Sequence, residues 1–491
     1  MTATPAAVIV LSAGDGTRMK SRLNKALHRI GGRTLVGHAV AAAAGTGASY
    51  VTVVVRAQKD DVAAAARAVV EKVLIAEQDD VYGTGRAAEC GLQTLPPDLT
   101  GTVLVTTGDT PLLDARTLLQ LTAEHEASAA AVTVITGVLD DATGYGRVVR
   151  DDHGNVRAIV EHKQATEEQR QINEFNSGLF AFDAAVLRQA LAEVGVNSAA
   201  GEKYLTDVVE VAVGHGLLVR AHVLDDLWQT EGVNDKAQLA RLGAELNRRT
   251  LDKLMREQGA VIEDPASTWV DVEVTVGADT IVHPGCQLYG ATSIGAGCEI
   301  GPDTTLKDTE VRDGASVIRT HADLALIGQD ATVGPFSYLR PGTTLGAGGK
   351  IGGFVETKNA QIGDDAKVPH LTYCGDAVIG AGTNIGAGTI FANYDGVNKH
   401  QTRVGENSFV GSNSVIVAPR TIGDGVYVAA GSAVVEDVEP GQLGVTRAHQ
   451  RNVDGWVFRR RADTATATSA KQAIDRAAHE ESTETEEPQG N

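Results

Sequence analysis

From Val276 onward an aliphatic side chain returns every sixth residue. Val276, Val282, Leu288, Ile294, Ile300 and Leu306 run without a break. Ile327, Val333, Leu339, Leu345 and Ile351 repeat the spacing, and Val404, Val410, Ile416, Ile422, Val428 and Val434 repeat it again. Glycine often follows, as in Ile294-Gly295, Ile327-Gly328 and Ile422-Gly423. This is the hexapeptide signature of a parallel β-helix. One aliphatic side chain per short strand points inward, and the stacked coils share a continuous core.

The repeats resemble those of the left-handed form, which carries three hexads per turn. With 18 residues to a coil and roughly 4.8 Å between coils, residues 270–440 would build a prism on the order of 45 Å long. The chain ahead of it has another period. Strand-like runs such as Val51-Thr52-Val53-Val54-Val55, Val103-Leu104-Val105 and Ala131-Val132-Thr133-Val134 alternate with segments of helical composition, Asp60 to Val73 and Thr117 to Ala127 among them. That alternation implies an α/β domain with a mostly parallel, Rossmann-like sheet. Leu239, Leu242, Leu246, Leu251 and Leu254 recur at helical spacing among charged residues, and Gly259 offers a stop. The expected organisation is an α/β domain over 1–236, a helical linker over 237–257, a β-helix over 258–458 and an acidic tail over 459–491. The linker leucines read as packing. The tail, small and polar at Thr464 to Ser469 and acidic from Glu480 to Glu487, reads as disordered.

A chain of 491 residues is too long for one core. Its net charge of −20 argues against nucleic acid as a partner, so phosphorylated ligands must be held by local basic residues. Cys90, Cys286, Cys298 and Cys374 form no C-x-x-C pair and suggest neither a disulfide framework nor a zinc site. No signal peptide is apparent, and no apolar run approaches a membrane span. The expected location is the cytoplasm.

Phosphate chemistry is written in Leu11-Ser12-Ala13-Gly14-Asp15-Gly16-Thr17-Arg18-Met19, with Lys25 close behind. The segment follows the apolar run Ala7-Val8-Ile9-Val10, which reads as a buried parallel strand. A glycine-rich turn leaving such a strand lets backbone N–H groups approach phosphate oxygens, and Arg18 and Lys25 add fixed positive charge. No G-x-x-x-x-G-K-[ST] is present, and Met19 stands where the dinucleotide fingerprint needs its third glycine. An ordinary strand-to-helix turn would account for Gly14 and Gly16 alone. With Arg18, Met19 and Lys25 the segment resembles the L-x-x-G-x-G-T-R-M…K signature of sugar-1-phosphate nucleotidyltransferases.

Thr106-Thr107-Gly108-Asp109 places a carboxylate just past a second apolar strand, at the sheet edge where ligands bind. A carboxylate beside phosphates is normally a magnesium ligand, although a helix N-cap is the plainer alternative. Gln78 and Gly83-Thr84-Gly85 suit a base edge. Gly144-Tyr145-Gly146, Glu161 and Asn173 to Gly178 supply polar groups for a sugar, and Asn234 is a candidate second metal ligand.

In the β-helix, Arg340 and Lys358 stand eighteen residues apart, hence on one face in successive coils. Two cations stacked this way repel unless an anion lies between them, and a sugar phosphate is such an anion. Glu356, His370, Tyr373, Asn384 and Asn393-Tyr394-Asp395-Gly396 lie nearby in sequence. Acetyl transfer to an amine needs a base for the ammonium proton and a donor for the thioester oxyanion, and histidine is the natural base near neutral pH.

Taken together, residues 7–456 resemble the bacterial bifunctional N-acetylglucosamine-1-phosphate uridyltransferase / glucosamine-1-phosphate N-acetyltransferase family. The resemblance implies acetyl transfer from acetyl-CoA to glucosamine-1-phosphate, then uridyl transfer from UTP to N-acetylglucosamine-1-phosphate. The product, UDP-N-acetylglucosamine, feeds peptidoglycan and other cell-envelope synthesis. The nucleotide-sugar site would comprise Leu11, Ser12, Ala13, Gly14, Lys25, Gln78, Gly83, Thr84, Thr107, Gly108, Asp109, Gly146, Glu161, Asn176 and Asn234, with Mg²⁺ on Asp109 and Asn234. His370 would be the base. Arg340, Lys358, Tyr373 and Asn384 would hold the amino-sugar phosphate, and Ala387, Asn393, Tyr394, Ser412, Ala430 and Arg447 would meet acetyl-CoA. The family also implies a homotrimer with clefts between subunits. Glu356 is expected to orient His370. Two departures stand out. Asn24 replaces the usual proline before the lysine, which would loosen Lys25. Arg86 replaces the histidine of Gly-Thr-Gly-His, which would add charge beside the uracil loop. The rivals are a single-activity sugar nucleotidyltransferase whose β-helix serves assembly, and a non-catalytic scaffold that only binds ligands.

Overall fold

The computed structural model describes residues 3–197 and 201–484. Seven strands of the first domain lie in the order Val219–Val223, Val132–Val138, Glu174–Asp183, Thr102–Thr107, Ala7–Leu11, Tyr50–Val55 and Leu74–Glu77. Neighbours are parallel except Glu174–Asp183, which is antiparallel to both flanking strands. The strand Ala7–Leu11 explains the unbroken apolar run at its head. Ala7 and Ile9 pack with Ala87 and Ala88 of one helix layer, while Val8 and Val10 pack with Val36 and Val40 of the other. A parallel strand covered on both faces has no polar side. Leu11 pairs with Thr107, so the two candidate phosphate loops leave adjacent strands at the same sheet edge.

The helix Lys236–Glu257 is N-capped by Asp235, whose side chain accepts from the Gln238 N–H, and it leads into the β-helix. There, three parallel sheets of eleven, ten and nine strands form the faces of a left-handed prism. Every residue of the period-six series is below 5 % exposed. Successive coils advance by eighteen residues at Leu288↔Leu306 and sixteen at Leu306↔Ala322, but by twenty-five at Ile385↔Val410. The surplus lies mostly in the loop after Ala392, so one coil is lengthened without disturbing the stack. Corners are turned by glycine, Asp or Asn in the left-handed backbone conformation, the residue types that tolerate it best. Arg319, Leu324, Phe336, Phe354 and Leu371 adopt it too.

The segment expected to be disordered is different in the structure. Helices run over Trp456–Arg460 and Ala465–Glu484. Six alanines with Lys471, Gln472 and Arg476 give the longer helix high intrinsic propensity despite the lack of an apolar stripe. The part of that expectation covering 485–491 lies outside the described residues.

Candidate active sites on the sheet and the prism

The first site grows from the turn after Ala7–Leu11. Gly16 has φ +60°, and a Cβ there would sit 2.6 Å from the Lys25 Cβ, so glycine lets the Lys25 segment close over the loop. Lys25 begins a short 3₁₀ turn, Lys25–Leu27. Its Nζ is ion-paired with the Asp109 carboxylate. On the far side of Asp109, the Val233 N–H donates to the Asp109 carbonyl at 2.9 Å, and Arg18 donates to Asn234 Oδ1 at 2.7 Å. The two oxygen donors expected to meet a metal are thus each held by a cation.

Two adjoining cavities open here. One, of about 310 Å³, is lined by Leu11, Ser12, Ala13, Gly14, Lys25, Gln78, Gly83, Thr84, Thr107, Gly108 and Asp109. The other, of about 470 Å³, shares Leu11, Thr84 and Thr107 and adds Glu161 and Asn176. Gly146 lies behind them; its carbonyl accepts the Asn176 N–H at 2.9 Å. Burial pushes the Glu161 carboxyl above its ordinary pKa. Ser12 Oγ is buried without a hydrogen-bond partner among the described residues, a polar atom a ligand would satisfy. The structure adds groups the sequence reading passed over. Arg56 lines the first cavity, its guanidinium 3.7 Å from the Tyr82 ring centroid and 2.7 Å from Asp15 Oδ1. Its position directly after the strand Tyr50–Val55 was the available signal.

Neither departure acts as expected. Asn24 is buried; its Oδ1 accepts from the Ala26 N–H at 2.9 Å and its Nδ2 donates to the Ala57 carbonyl at 2.9 Å. Asn24 is therefore the N-cap of the turn that carries Lys25 and fixes it where a proline would stiffen the chain. Arg86 is neutralised locally, by Asp79 at 2.5 Å and Glu89 at 2.8 Å, and it clamps the loop that presents Gln78.

On the prism, two edges flank the three-residue strand Tyr373–Gly375, on the order of 10 Å across. One edge is cationic. Arg340 and Lys358 stand in adjacent coils, because Leu339 pairs with Thr357. Glu356 accepts from Arg340 at 2.9 Å. No hydrogen bond joins it to His370 among the described residues. Asp376, one coil further, was missed. Its carboxylate accepts from Asn359 at 2.9 Å, from Asn393 at 2.5 Å and from Lys358 at 3.5 Å. Burial opposes its ionisation, but these hydrogen bonds and the Lys358 charge outweigh it and hold its pKa below the ordinary carboxylate range. Lys399 joins from the lengthened loop, and the Lys358 ammonium pushes its pKa down.

The other edge begins at His370, which is exposed at the end of the strand Lys367–His370. The His370 carbonyl accepts the Gly388 N–H, the Ala387 carbonyl accepts that of Asn413, and the Ser412 carbonyl accepts that of Gly431. Those bonds align His370, Ala387, Ser412 and Ala430 up one edge. Arg447 Cδ lies beside Gly431. Asn384 Oδ1 is buried and has no hydrogen-bond partner among the described residues, and Tyr394 is exposed, its hydroxyl donating to the Gly396 carbonyl at 2.6 Å. Tyr373 Oη accepts from Asn393 at 3.4 Å, so Asn393 bridges Tyr373 and Asp376.

Residues 8–227 match the model of the MobA-like NTP transferase domain, and residues 401–435 match that of the bacterial transferase hexapeptide. The Bifunctional protein GlmU of Kineococcus radiotolerans is 54 % identical over 473 residues, 96 % of each chain. That of Corynebacterium glutamicum is 54 % identical over 95 % of this chain and 97 % of its own. That of Mycolicibacterium vanbaalenii is 54 % identical over 94 % of each. With such identity over nearly the full length of both partners, this chain belongs to the GlmU family of bifunctional enzymes.

Proposed function

We propose that the two cavities of the sheet perform the uridyl transfer and the prism edges the acetyl transfer of this family. The enzyme acetylates glucosamine-1-phosphate from acetyl-CoA and joins N-acetylglucosamine-1-phosphate to UTP. Carrying the assignment is the pairing of Lys25 with Asp109 and Arg18 with Asn234 at one sheet edge, within a chain whose other domain sets His370 across a short strand from stacked cations.

In uridyl transfer the sugar-phosphate oxygen attacks the α-phosphorus of UTP in line, and pyrophosphate leaves. The nucleophile is anionic at neutral pH, so no general base is needed, and catalysis is positioning and charge neutralisation. Gln78 and the Gly83-Thr84 backbone hold the base. Glu161 and Asn176 hold the sugar, with Lys25 and Arg18 facing the phosphates. Asp109 and Asn234 are hard oxygen donors suited to Mg²⁺. Gly232 fits this reading, since a Cβ there would crowd Asp109 Oδ2 at 3.3 Å. Bound there, Mg²⁺ would neutralise charge on the phosphates.

In acetyl transfer His370 removes one proton from the ammonium group, freeing the lone pair that attacks the thioester carbonyl; a second N–H proton, lost as the amide forms, goes to the CoA sulfur. The C–N bond forms, the C–S bond breaks, and CoA leaves as the thiol once protonated. Arg340, Lys358 and Lys399 hold the phosphate. Asn384 and Tyr373 hold the sugar, and the edge from Ala387 to Arg447 holds CoA with Asn393 and Tyr394.

Phe336, Phe354 and Leu371 are each more than half exposed on the edge that leads to His370, and Phe336 and Phe354 stack at 5.3 Å. Left-handed backbone at bulky exposed residues is costly. An apolar ridge there supports a homotrimer in which neighbouring prisms cover it and complete the CoA cleft. The cytoplasm is the compartment that fits these substrates. The test supplies glucosamine-1-phosphate, acetyl-CoA and UTP together. UDP-N-acetylglucosamine is the expected product, and light scattering of the active species should give three chains. A fully active monomer would refute the trimer, and formation of only one of the two products would refute the two-site assignment.

A further inference from the structure

Besides the cores of the sheet and the prism, the chain contains a small separate apolar core of Met19, Ile30, Leu35, Leu112, Val233 and Leu242. Four groups of the uridyl site, Arg18, Lys25, Asp109 and Asn234, adjoin it along the chain. Arg18 adjoins Met19, and Asn234 adjoins Val233. Leu112 lies three residues beyond Asp109, and Ile30 follows the turn that starts at Lys25. The remaining wall is the linker helix, with Leu242 fully buried and Leu239 and Leu246 packed beside it.

The first coil of the prism braces the same assembly. The hairpin Arg29–Ile30/Arg33–Thr34 rests its tip there, where the Val272 N–H donates to the Gly31 carbonyl at 3.1 Å. Gly32 has φ +79°, and a Cβ on it would lie 2.5 Å from Asp271 Oδ2. Arg33 pairs with Glu273 at 2.5 Å. From the other side, His38 Nε2 donates to the Ile30 carbonyl at 2.9 Å.

We infer that the linker helix, through Leu242, is a positioning element of the uridyl site, and that it sets the mutual placement of Arg18, Lys25, Asp109 and Asn234. The inference rests on the assignment of those four residues to phosphate transfer. Its physical basis is that all four sit on loops or single 3₁₀ turns, which hold a geometry only as well as the packing beneath them. A misplacement of about 1 Å at such a site costs up to about a hundredfold in rate. Leu251 supplies the control. It is equally buried on the same helix but belongs to the core of the prism.

The experiment compares full-length Leu242→Ala, Leu242→Met and Leu251→Ala. Both alanine variants should melt earlier than wild type. Leu242→Ala should lower the uridyl-transfer kcat by about tenfold to a hundredfold while acetyl transfer stays unchanged. Amide hydrogen exchange should rise in 17–34 and 232–236. Leu242→Met should recover most of the rate, and Leu251→Ala should leave uridyl transfer and that exchange pattern at wild-type levels. If Leu242→Ala does not accumulate, half-buried Leu246→Ala carries the same comparison. Wild-type kcat and exchange in Leu242→Ala, or an equal uridyl defect in Leu251→Ala, would overturn the inference. Retained uridyl transfer in Asp109→Ala would instead overturn the site assignment beneath it.

Discussion

The two sites are built on opposite plans. On the sheet, the reacting region is enclosed by one chain, and its cations already hold partners: Lys25 with Asp109, Arg18 with Asn234 and Arg56 with Asp15. On the prism, His370, Ser412, Ala430 and Arg447 stand exposed along an edge. The corner around Asp376 and Asn393, proposed above to lie beside the phosphate, is buried. Loops over a sheet can fold around a ligand. A prism offers flat faces and corners, so enclosure has to come from lengthening a coil or from another copy of the chain. The lengthened loop after Ala392 supplies the first remedy, and the proposed trimer supplies the second.

The sharpest break in the comparison is chemical. His370→Ala should cost acetyl transfer about 10²–10⁴-fold at neutral pH while sparing uridyl transfer from supplied N-acetylglucosamine-1-phosphate. Because more substrate amine is free at higher pH, the defect should shrink as pH rises. Equal acetylation rates in variant and wild type at neutral pH would remove His370 as base. The converse variant, Asp109→Ala, should lower uridyl transfer by about 10²–10³-fold and leave acetyl transfer intact, as separate assays on one preparation would read.

A smaller effect tests how the exposed site is organised. Asp376→Ala strands Lys358, Asn359 and Asn393 together, so KM for glucosamine-1-phosphate and for acetyl-CoA should both rise by about tenfold, with less effect on kcat. Because its pKa is depressed in the folded chain, Asp376 adds stability above the ordinary carboxylate pKa, about 4. That contribution is lost as pH falls through the depressed value. Thermal melts across that acid range should therefore be less pH-dependent in Asp376→Asn. The smallest effect belongs to the enclosed site. Loss of the N-cap in Asn24→Ala should cost about 1 kcal/mol locally. Steady-state kinetics should register it as a roughly fivefold fall in uridyl transfer.

The architecture was legible wherever one residue type meets one geometric demand. Val282, Leu288 and their successors must fill the prism, and Ala7 to Val10 must be apolar on both sides, so periodicity reveals them. The meeting of the two candidate phosphate loops at one sheet edge was legible because Gly16, Lys25 and Asp109 lie within short motifs that follow adjacent strands. Contacts that depend on coil register were harder to see. Asp376 lies eighteen residues past Lys358, as Lys358 does past Arg340, so continuing the same count would have reached it. Lys399 defies that count because the longer coil intervenes. The pairing of Glu356 with Arg340 depends on which side chains adjacent coils bring within reach, and linear order does not encode this. Asn24 read as a loss because proline was missing; its capping oxygen becomes visible only with the Ala26 N–H beside it. The helix Ala465–Glu484 escaped notice because its alanines give propensity without amphipathic rhythm.

The coil spacing of the prism has a consequence for the distance between the two chemistries. Each coil touches only its neighbours, and the linker helix grips only the first ones. Removing or adding one whole coil between Ile300 and Leu339 would leave every corner residue of the acetyl site facing its present partners. The separation between sites is therefore quantised, adjustable across evolution or by design in steps of roughly 4.8 Å. A change of fewer residues would have to be absorbed in a corner loop, as the coil after Ala392 absorbs its surplus.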